Sequence, residues 1–152
     1  QGKLAEAEQL YERSQAIRET SLGPEHPDVA QSLNNRAGLL KSLGKFAEAL
    51  SLYRQSLGIR EKTLGPDHPD VAQSLNNLAG VLKSQASFQD AEPLYERSLA
   101  IDEKVYGPDH PEVAMDLNNW AALYEVQGKH AEAEPLLERS HAIREKTIGA
   151  EH

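Results

Sequence analysis

Residues 65–79 of this 152-residue chain read Gly-Pro-Asp-His-Pro-Asp-Val-Ala-Gln-Ser-Leu-Asn-Asn-Leu-Ala, and the pattern recurs at 23–37 and, with more changes, at 107–121. Its histidine returns every 42 residues. The four copies are His26, His68, His110 and His152. A fixed period of this length is typical of a solenoid, whose units cannot bury their apolar faces alone and therefore stack on their neighbours. We predict a single repeat array over residues 1–152.

The array divides into one partial unit and three full units. Residues 1–22 are predicted to form the second helix of the partial unit, and residues 149–152 the start of a further loop. Between them lie the three full units of 42 residues, at 23–64, 65–106 and 107–148.

Each full unit is predicted to contain a short helix followed by a long one. Val29, Leu33 and Ala37 recur at the spacing of one helical face. Pro27 suits the first turn of this helix, where its missing N–H is no loss, and Gly44 suits the position just after its end. The same signals return in the later units. We therefore predict an all-α solenoid of seven helices, made of one long helix and three antiparallel short–long pairs.

The turn inside the middle unit departs from the pattern. Gly44 and Gly128 occupy this turn in the other two full units, whereas the middle unit has Ala86. If the turn requires a positive φ, Ala86 is strained by about 1 kcal/mol, because its β-carbon crowds the backbone in that conformation.

Composition narrows the classes of partner. The formal net charge is −8 and no basic stripe is present, so nucleic acid is not an expected partner. The absence of cysteine excludes disulfides, thiol catalysis and thiolate metal sites. No apolar run approaches the roughly 20 residues of a membrane-spanning helix, and no signal-like leader is present. We expect no membrane contact and a cytoplasmic location.

The packing positions of the middle unit resemble the consensus of the tetratricopeptide repeat. They are Leu75, Leu78, Ala79 and Leu82 in the short helix, then Phe88, Ala91, Tyr95 and Ser98 in the long one. The usual repeat has about 34 residues, and the longer form here, with Leu-Asn-Asn-Leu-Ala and a His-Pro loop, is similar to the repeats of kinesin light chains. This resemblance implies a right-handed superhelix whose first helices line a concave groove that binds extended peptides.

The paired asparagines are the sharpest polar feature of the short helices. Asparagine is unfavourable inside a helix because its amide competes with backbone hydrogen bonds, so three pairs at one repeat position suggest a role for the amides. We assign Asn34, Asn76 and Asn118 to the groove, where they would bond a peptide backbone. We assign Asn35, Asn77 and Asn119 to hydrogen bonds between units. The alternative, an asparagine ladder that is hydrogen-bonded between adjacent units, has equal weight, and either member of a pair fits either role.

A polar, locally basic strip is predicted beside these asparagines. Lys41 and Lys83 follow the groove asparagines by two helical turns, and Gln31 and Gln73 precede them by one turn. Such a strip would attract an acidic peptide segment. Met115 and Glu125 interrupt it in the third unit, and ordinary solvated helix positions are the alternative interpretation.

No metal site, cofactor or catalytic centre is expected. Equivalent loop histidines of successive units are too far apart to share one ion, because stacked helices lie about 8–10 Å apart. They are interpreted as residues that order the loop. A near-periodic chain also offers no single asymmetric pocket for catalysis. The acidic side chains of the long helices are predicted to form the solvated outer face; they include Glu96, Asp102, Glu103 and Glu138.

These observations favour a non-enzymatic scaffold that binds an extended or short helical peptide segment of another protein in the groove. The alternative is a structural array that associates head-to-tail through uncapped ends, because solenoid ends normally need polar caps. In that case the end helices would expose apolar seams that include Leu4, Tyr11, Ile143 and Ile148.

Overall fold

The computed structural model describes residues 2–150, which form seven α-helices and no β-strand. The helices are α1 (Gly2–Leu22), α2 (Pro27–Ser42), α3 (Phe46–Leu64), α4 (Pro69–Ser84), α5 (Phe88–Tyr106), α6 (Pro111–Val126) and α7 (His130–Ala150). The predicted all-α repeat solenoid is thus confirmed. None of these seven helices is long and apolar enough to cross a membrane.

The end of α7 differs from the prediction. A loop was expected to start at residue 149, but Gly149 and Ala150 continue the helix. Ala150 occupies the position at which the earlier units have Pro66 and Pro108. Proline resists helical continuation, whereas alanine favours it. The remaining two residues of the predicted loop, 151 and 152, lie outside the described residues.

Each short helix begins at a histidine that caps it. The Nδ1 atom of His68 accepts a hydrogen bond from the backbone N–H of Asp70 at 3.0 Å, and His26 and His110 make the equivalent bond. A proline follows as the first helical residue. The cap satisfies one of the backbone donors that a helix leaves free at its start. The repeated histidine therefore orders the loop, as predicted.

A buried serine fastens the two helices of each full unit to one another. Ser56 Oγ donates to the carbonyl oxygen of Ala30 at 2.8 Å, and Ser98 donates to that of Ala72 at 3.0 Å. Ser140 repeats the contact in the third full unit. Because the helix carbonyl keeps its own backbone partner, the hydroxyl is satisfied at no cost to the helix.

The short helices lie on the inner side of the array. The backbone of α2 approaches that of α4, and α4 approaches α6, while no two long helices come equally close within residues 2–150. The units are therefore closer together on the side of the short helices. We call the surface formed by α2, α4 and α6 the inner face.

The turn between the helices of a unit requires a left-handed residue. Gly44 and Gly128 have φ values of 75° and 72°, and Ala86 at the same position has a φ of 59°. The strain predicted for Ala86 is confirmed, because this is the one non-glycine residue with positive φ in the described part of the chain.

Replacing Ala86 with glycine is expected to stabilise the protein by about 1 kcal/mol, which corresponds to a rise in Tm of about 2–4 °C. The glycine removes the strained β-carbon and changes no packing contact, because the side chain of Ala86 is exposed. Thermal unfolding followed by circular dichroism measures the change. Gly128→Ala is the matched control and should lower Tm by a similar amount, since an added β-carbon there meets no atom within 4 Å. An unchanged Tm in both variants would contradict the assignment of strain to this turn.

Candidate functional site

Each long helix packs against the short helix of the next unit, and a polar cluster lies near the end of the long helix at each contact. We call the α1–α2, α3–α4 and α5–α6 contacts the first, second and third junctions. The main residue of each cluster comes from the same repeat position, so these residues are 42 positions apart in the sequence. The main residue is arginine at the first two junctions and aspartate at the third.

At the second junction the main residue is Arg60, which is only 2% exposed. Its guanidinium donates to Ser74 Oγ at 2.9 Å and to the backbone carbonyl of Asp70 at 3.1 Å. It also donates to the side-chain oxygens of Gln73 and Gln31, at 3.1 and 2.8 Å. Burial lowers the pKa of Arg60. The guanidinium nevertheless donates to these four acceptors, and such hydrogen bonds allow a charged guanidinium to be buried.

The first junction repeats this arrangement in a simpler form. Arg18 donates to Ser32 Oγ at 2.6 Å and to the backbone carbonyl of Asp28 at 3.3 Å. Both acceptors belong to the start of α2, as their equivalents at the second junction belong to the start of α4. The contact of guanidinium, serine and carbonyl is thus a feature of the repeat.

The third junction has carboxyl groups where the other two have an arginine and a serine. Asp102 stands at the position of the arginine and Asp116 at the position of the serine, and they are 5% and 2% exposed. The two carboxyl groups are close enough to shift each other's pKa, so they titrate as a coupled pair. Asp116 also accepts a hydrogen bond from Asn76 Nδ2, and its Oδ1 lies 3.1 Å from Ser98 Oγ.

The environment of this pair favours its protonated form. Burial, the hydrogen bond to Asp116 and the negative charges of Asp116 and Glu112 raise the pKa of Asp102 to about 8. The pKa of Asp116 is also raised, because burial outweighs the hydrogen bonds to this carboxylate, which lower it. One buried proton is therefore held at the third junction near neutral pH.

A cavity of about 380 Å³ opens onto the inner face at the third junction. Its walls come from α4, the end of α5 and α6. The lining residues are Pro69, Asp70, Gln73, Asn76, Asn77, Asp102, Tyr106, Glu112, Met115, Asp116 and Asn119. Four of them carry carboxyl groups and none is lysine or arginine, so the charge of the cavity is negative.

The two asparagines of the middle unit do not have the roles that were assigned to them from the sequence. Asn76, assigned to the groove, donates to Ser98 Oγ of its own unit at 2.8 Å and to Asp116 of the next unit. The hydrogen bond between units is thus made by Asn76. Asn77, assigned to that role, is half-buried and lines the cavity together with Asn119.

In the other two full units the asparagine side chains make no hydrogen bond between units within the described residues. Asn34 is 6% exposed and its Oδ1 has no hydrogen-bond partner there. Asn35 is exposed and accepts from Gln31 Nε2 at 2.9 Å, one turn away in the same helix. Asn118 is half-buried.

The proposed basic strip lies apart from the cavity. Lys41 and Lys83 are half-buried in the last turns of α2 and α4. The ammonium of Lys41 packs against Gly80, 3.3 Å from the place a β-carbon would occupy. Gln31 and Gln73 are joined to each other through Arg60 instead. The inner face therefore has lysines near the ends of its helices and carboxyl groups near the start of α6.

Sequence reasoning missed the polar clusters at the junctions. Asp102 was assigned to the solvated outer face, and the structure corrects this because the side chain is buried against α6. A signal was present: aspartate interrupts a position that otherwise carries Arg18, Arg60 and Arg144. Asp116 interrupts the repeated serine at the facing position, so the two departures occur together.

The helix-pair solenoid and its polar inner face define a class, that of helical-repeat scaffolds. The tetratricopeptide repeat family model matches residues 1–62, 28–104 and 71–146, and the chain belongs to this family. Its repeats are of the kinesin light chain-like type. Repeats of this family are generally scaffolds for interactions between proteins.

Two solved structures resemble this chain in both fold and repeat type. A candidate kinesin light chain from Podosopora anserina with nearly identical TPR-like repeats is 33% identical, with a TM-score of 0.83 over 97% of this chain and 69% of that chain. BtubC (BKLC) from P. vanneervenii is 27% identical, with a TM-score of 0.88 over 97% of this chain and 59% of that chain. MamA, at 21% identity and a TM-score of 0.63, shares the fold. A search of curated proteins found no match.

The buried proton makes stability depend on pH. Because the raised pKa of Asp102 lets the folded protein hold a proton that the unfolded chain releases, the free energy of unfolding should fall as pH rises from about 4 to about 8. One such proton contributes up to about 1.4 kcal/mol per pH unit. Asp102→Asn should remove this slope, since its amide donates to Asp116 without titrating. Urea unfolding at several pH values measures both.

The control is Glu96→Gln, which changes an exposed carboxylate of the same helix and should retain the slope of the parent protein. An unchanged slope in Asp102→Asn would show that the pair at the third junction does not hold the proton.

Proposed function

We propose that this chain binds an extended or short helical segment of a partner protein along its inner face. The observation that carries the proposal is the cavity between α4 and α6, which is open on the inner face and lined by amide and carboxyl groups. Concave sites with a few convergent polar groups are where proteins bind ligands.

The amides of the inner face suit a peptide backbone. Asn77 and Asn119 are half-buried, lie at equivalent positions of successive units, and line the same cavity. An asparagine amide offers both a donor and an acceptor, which matches the N–H and C=O groups of an extended peptide. The side chains of Asn76, Gln31 and Gln73 already form hydrogen bonds within the protein, so fewer of their polar groups are free for a partner.

The residues assigned to the groove from the sequence differ in whether they can contact a partner. Lys41, Lys83 and Asn118 remain candidates for direct contact, and the two lysines would attract acidic groups of the segment near the ends of α2 and α4. Asn34 is too deeply buried to reach a partner without a change of rotamer.

A second function, self-association, is favoured by one observation. Within the described residues α1 has no buried residue, and it exposes a series of large apolar side chains. They are Leu4, Leu10, Tyr11, Ile17 and Leu22. At the other end Ile148 is exposed, but Ile143, expected in the same seam, is buried against α6. The apolar surface is therefore concentrated on α1.

Selection of a displayed-peptide library against the chain tests peptide binding, and one enriched motif is expected. The double variant Asn77→Ala with Asn119→Ala should weaken the selected peptide about tenfold or more, because each lost hydrogen bond is worth about 0.5–1.5 kcal/mol. Fluorescence anisotropy with the labelled peptide measures the affinity. Glu96→Ala, an exposed change on α5, is the control and should bind as the parent does. No enriched motif, or equal binding by the double variant, would count against the inner face.

Light scattering over a concentration series tests self-association. If α1 mediates it, the mean mass should rise with concentration, and Leu10→Glu with Ile17→Glu should restore the monomer mass, because charges on the contact must be desolvated. Glu96→Gln again serves as the unaffected control. A constant monomer mass for the parent protein would exclude this function at the concentrations used.

A further inference from the structure

The three junctions allow a comparison within one chain. At the first two, a guanidinium from the long helix lies against the start of the next short helix and bonds a serine hydroxyl and a backbone carbonyl. At the third, Asp102 and Asp116 replace the arginine and the serine, and the cavity opens beside them. The place that holds a cation twice in this array therefore holds two carboxyl groups the third time.

The carboxyl pair has acceptor capacity that the chain itself leaves unused. Within residues 2–150, Asp102 Oδ1 and Asp116 Oδ2 are buried without a hydrogen-bond partner, and so is Asn76 Oδ1. All three side chains line the cavity. Buried acceptors normally find donors, so the site lacks a donor and, when both carboxylates are ionised, a positive charge.

We propose that this cavity binds an arginine side chain of the partner segment, whose guanidinium takes the place that Arg60 occupies at the second junction. The inference rests on the proposed function and names the side chain that the third junction selects. The planar fork of a guanidinium can donate to two carboxylates and an amide oxygen together, which a compact ammonium does with poorer geometry.

The charges around the cavity agree with a cationic ligand. Asp70 faces it from α4, Asp102 from the end of α5, and Glu112 and Asp116 from α6. Arg60 is joined to the cavity wall through Gln73 but does not itself line the cavity. A guanidinium that enters would therefore meet excess negative charge on three sides.

Binding should also displace the shared proton of the carboxyl pair. Because the free site holds that proton below about pH 8 and the guanidinium requires both carboxylates, affinity should rise with pH up to about 8 and then level off. The increase is at most tenfold per pH unit for one proton.

The test uses the whole chain and N-acetyl-L-arginine amide as the probe, with N-acetyl-L-citrulline amide as a matched probe of nearly the same shape without charge. Two-dimensional amide NMR should show saturable shifts at Asn76, Asn77 and Asp116 with the arginine probe, with a Kd in the millimolar range, and none with citrulline. Affinity should be higher at about pH 8 than at about pH 6. Asp102→Asn should weaken the arginine probe at least tenfold.

A second variant guards against loss of folding. Asp102→Arg with Asp116→Ser restores the arginine and the serine of the second junction, so it should fold, fill the cavity with its own guanidinium and no longer bind the probe. Equal shifts with citrulline, binding retained by this variant, or saturation of the same residues by calcium but not by arginine would each overturn the proposal. The selected peptides give a separate outcome. If they bind this variant as tightly as they bind the parent, the arginine proposal is overturned but the proposal of peptide binding is not.

Discussion

The packing of each long helix on the following short helix is the contact on which this array depends. A helix pair of this size exposes an apolar face that only a neighbouring pair can cover, so stability is transmitted from unit to unit through these junctions. Each junction also has to accommodate polar groups at the start of the short helix, including a serine or aspartate side chain that points into the contact. At two junctions an arginine supplies the donors, half-buried at the first and buried at the second, and at the third a carboxyl pair with a shared proton does so. The junction is thus both the structural and the electrostatic element of the repeat.

Substituting both partners at one junction changes the surface as well as the interior. Arg60 is long enough to reach from α3 to α4 and back to Gln31, and it closes the space between these helices. Asp102 is shorter, and a cavity remains where the longer side chain would extend. The negative charge of that cavity contrasts with Lys41 and Lys83 farther along the inner face. The inner face is therefore not uniform from unit to unit, although the sequence repeats closely, and this asymmetry is what a scaffold needs to bind a partner in one register.

Local signals carried the predictions that succeeded. The loop-ordering role of His68, the left-handed turn at Ala86 and the helix start at Pro27 follow from backbone sterics and hydrogen bonding within a few residues, so the chain order alone reveals them. Predictions about Asn76 and Asn77 were harder. Adjacent residues of a helix point about 100° apart, and which of the two faces the next unit depends on the rotation of the helix in its packing, which a period of 42 residues does not specify.

The sequence by itself determined the number of helices, their pairing and the membership of a scaffold family, because these depend on periodicity and on local backbone preferences. Only the tertiary structure decided which polar side chains are buried. Asp102 has the sequence neighbourhood of a solvated helix end, and its burial results from the approach of α6, a helix that begins nine residues later. The pairing of Asp102 with Asp116, the proton it holds and the cavity beside it all follow from that approach, since charge interactions depend on distance in space rather than along the chain.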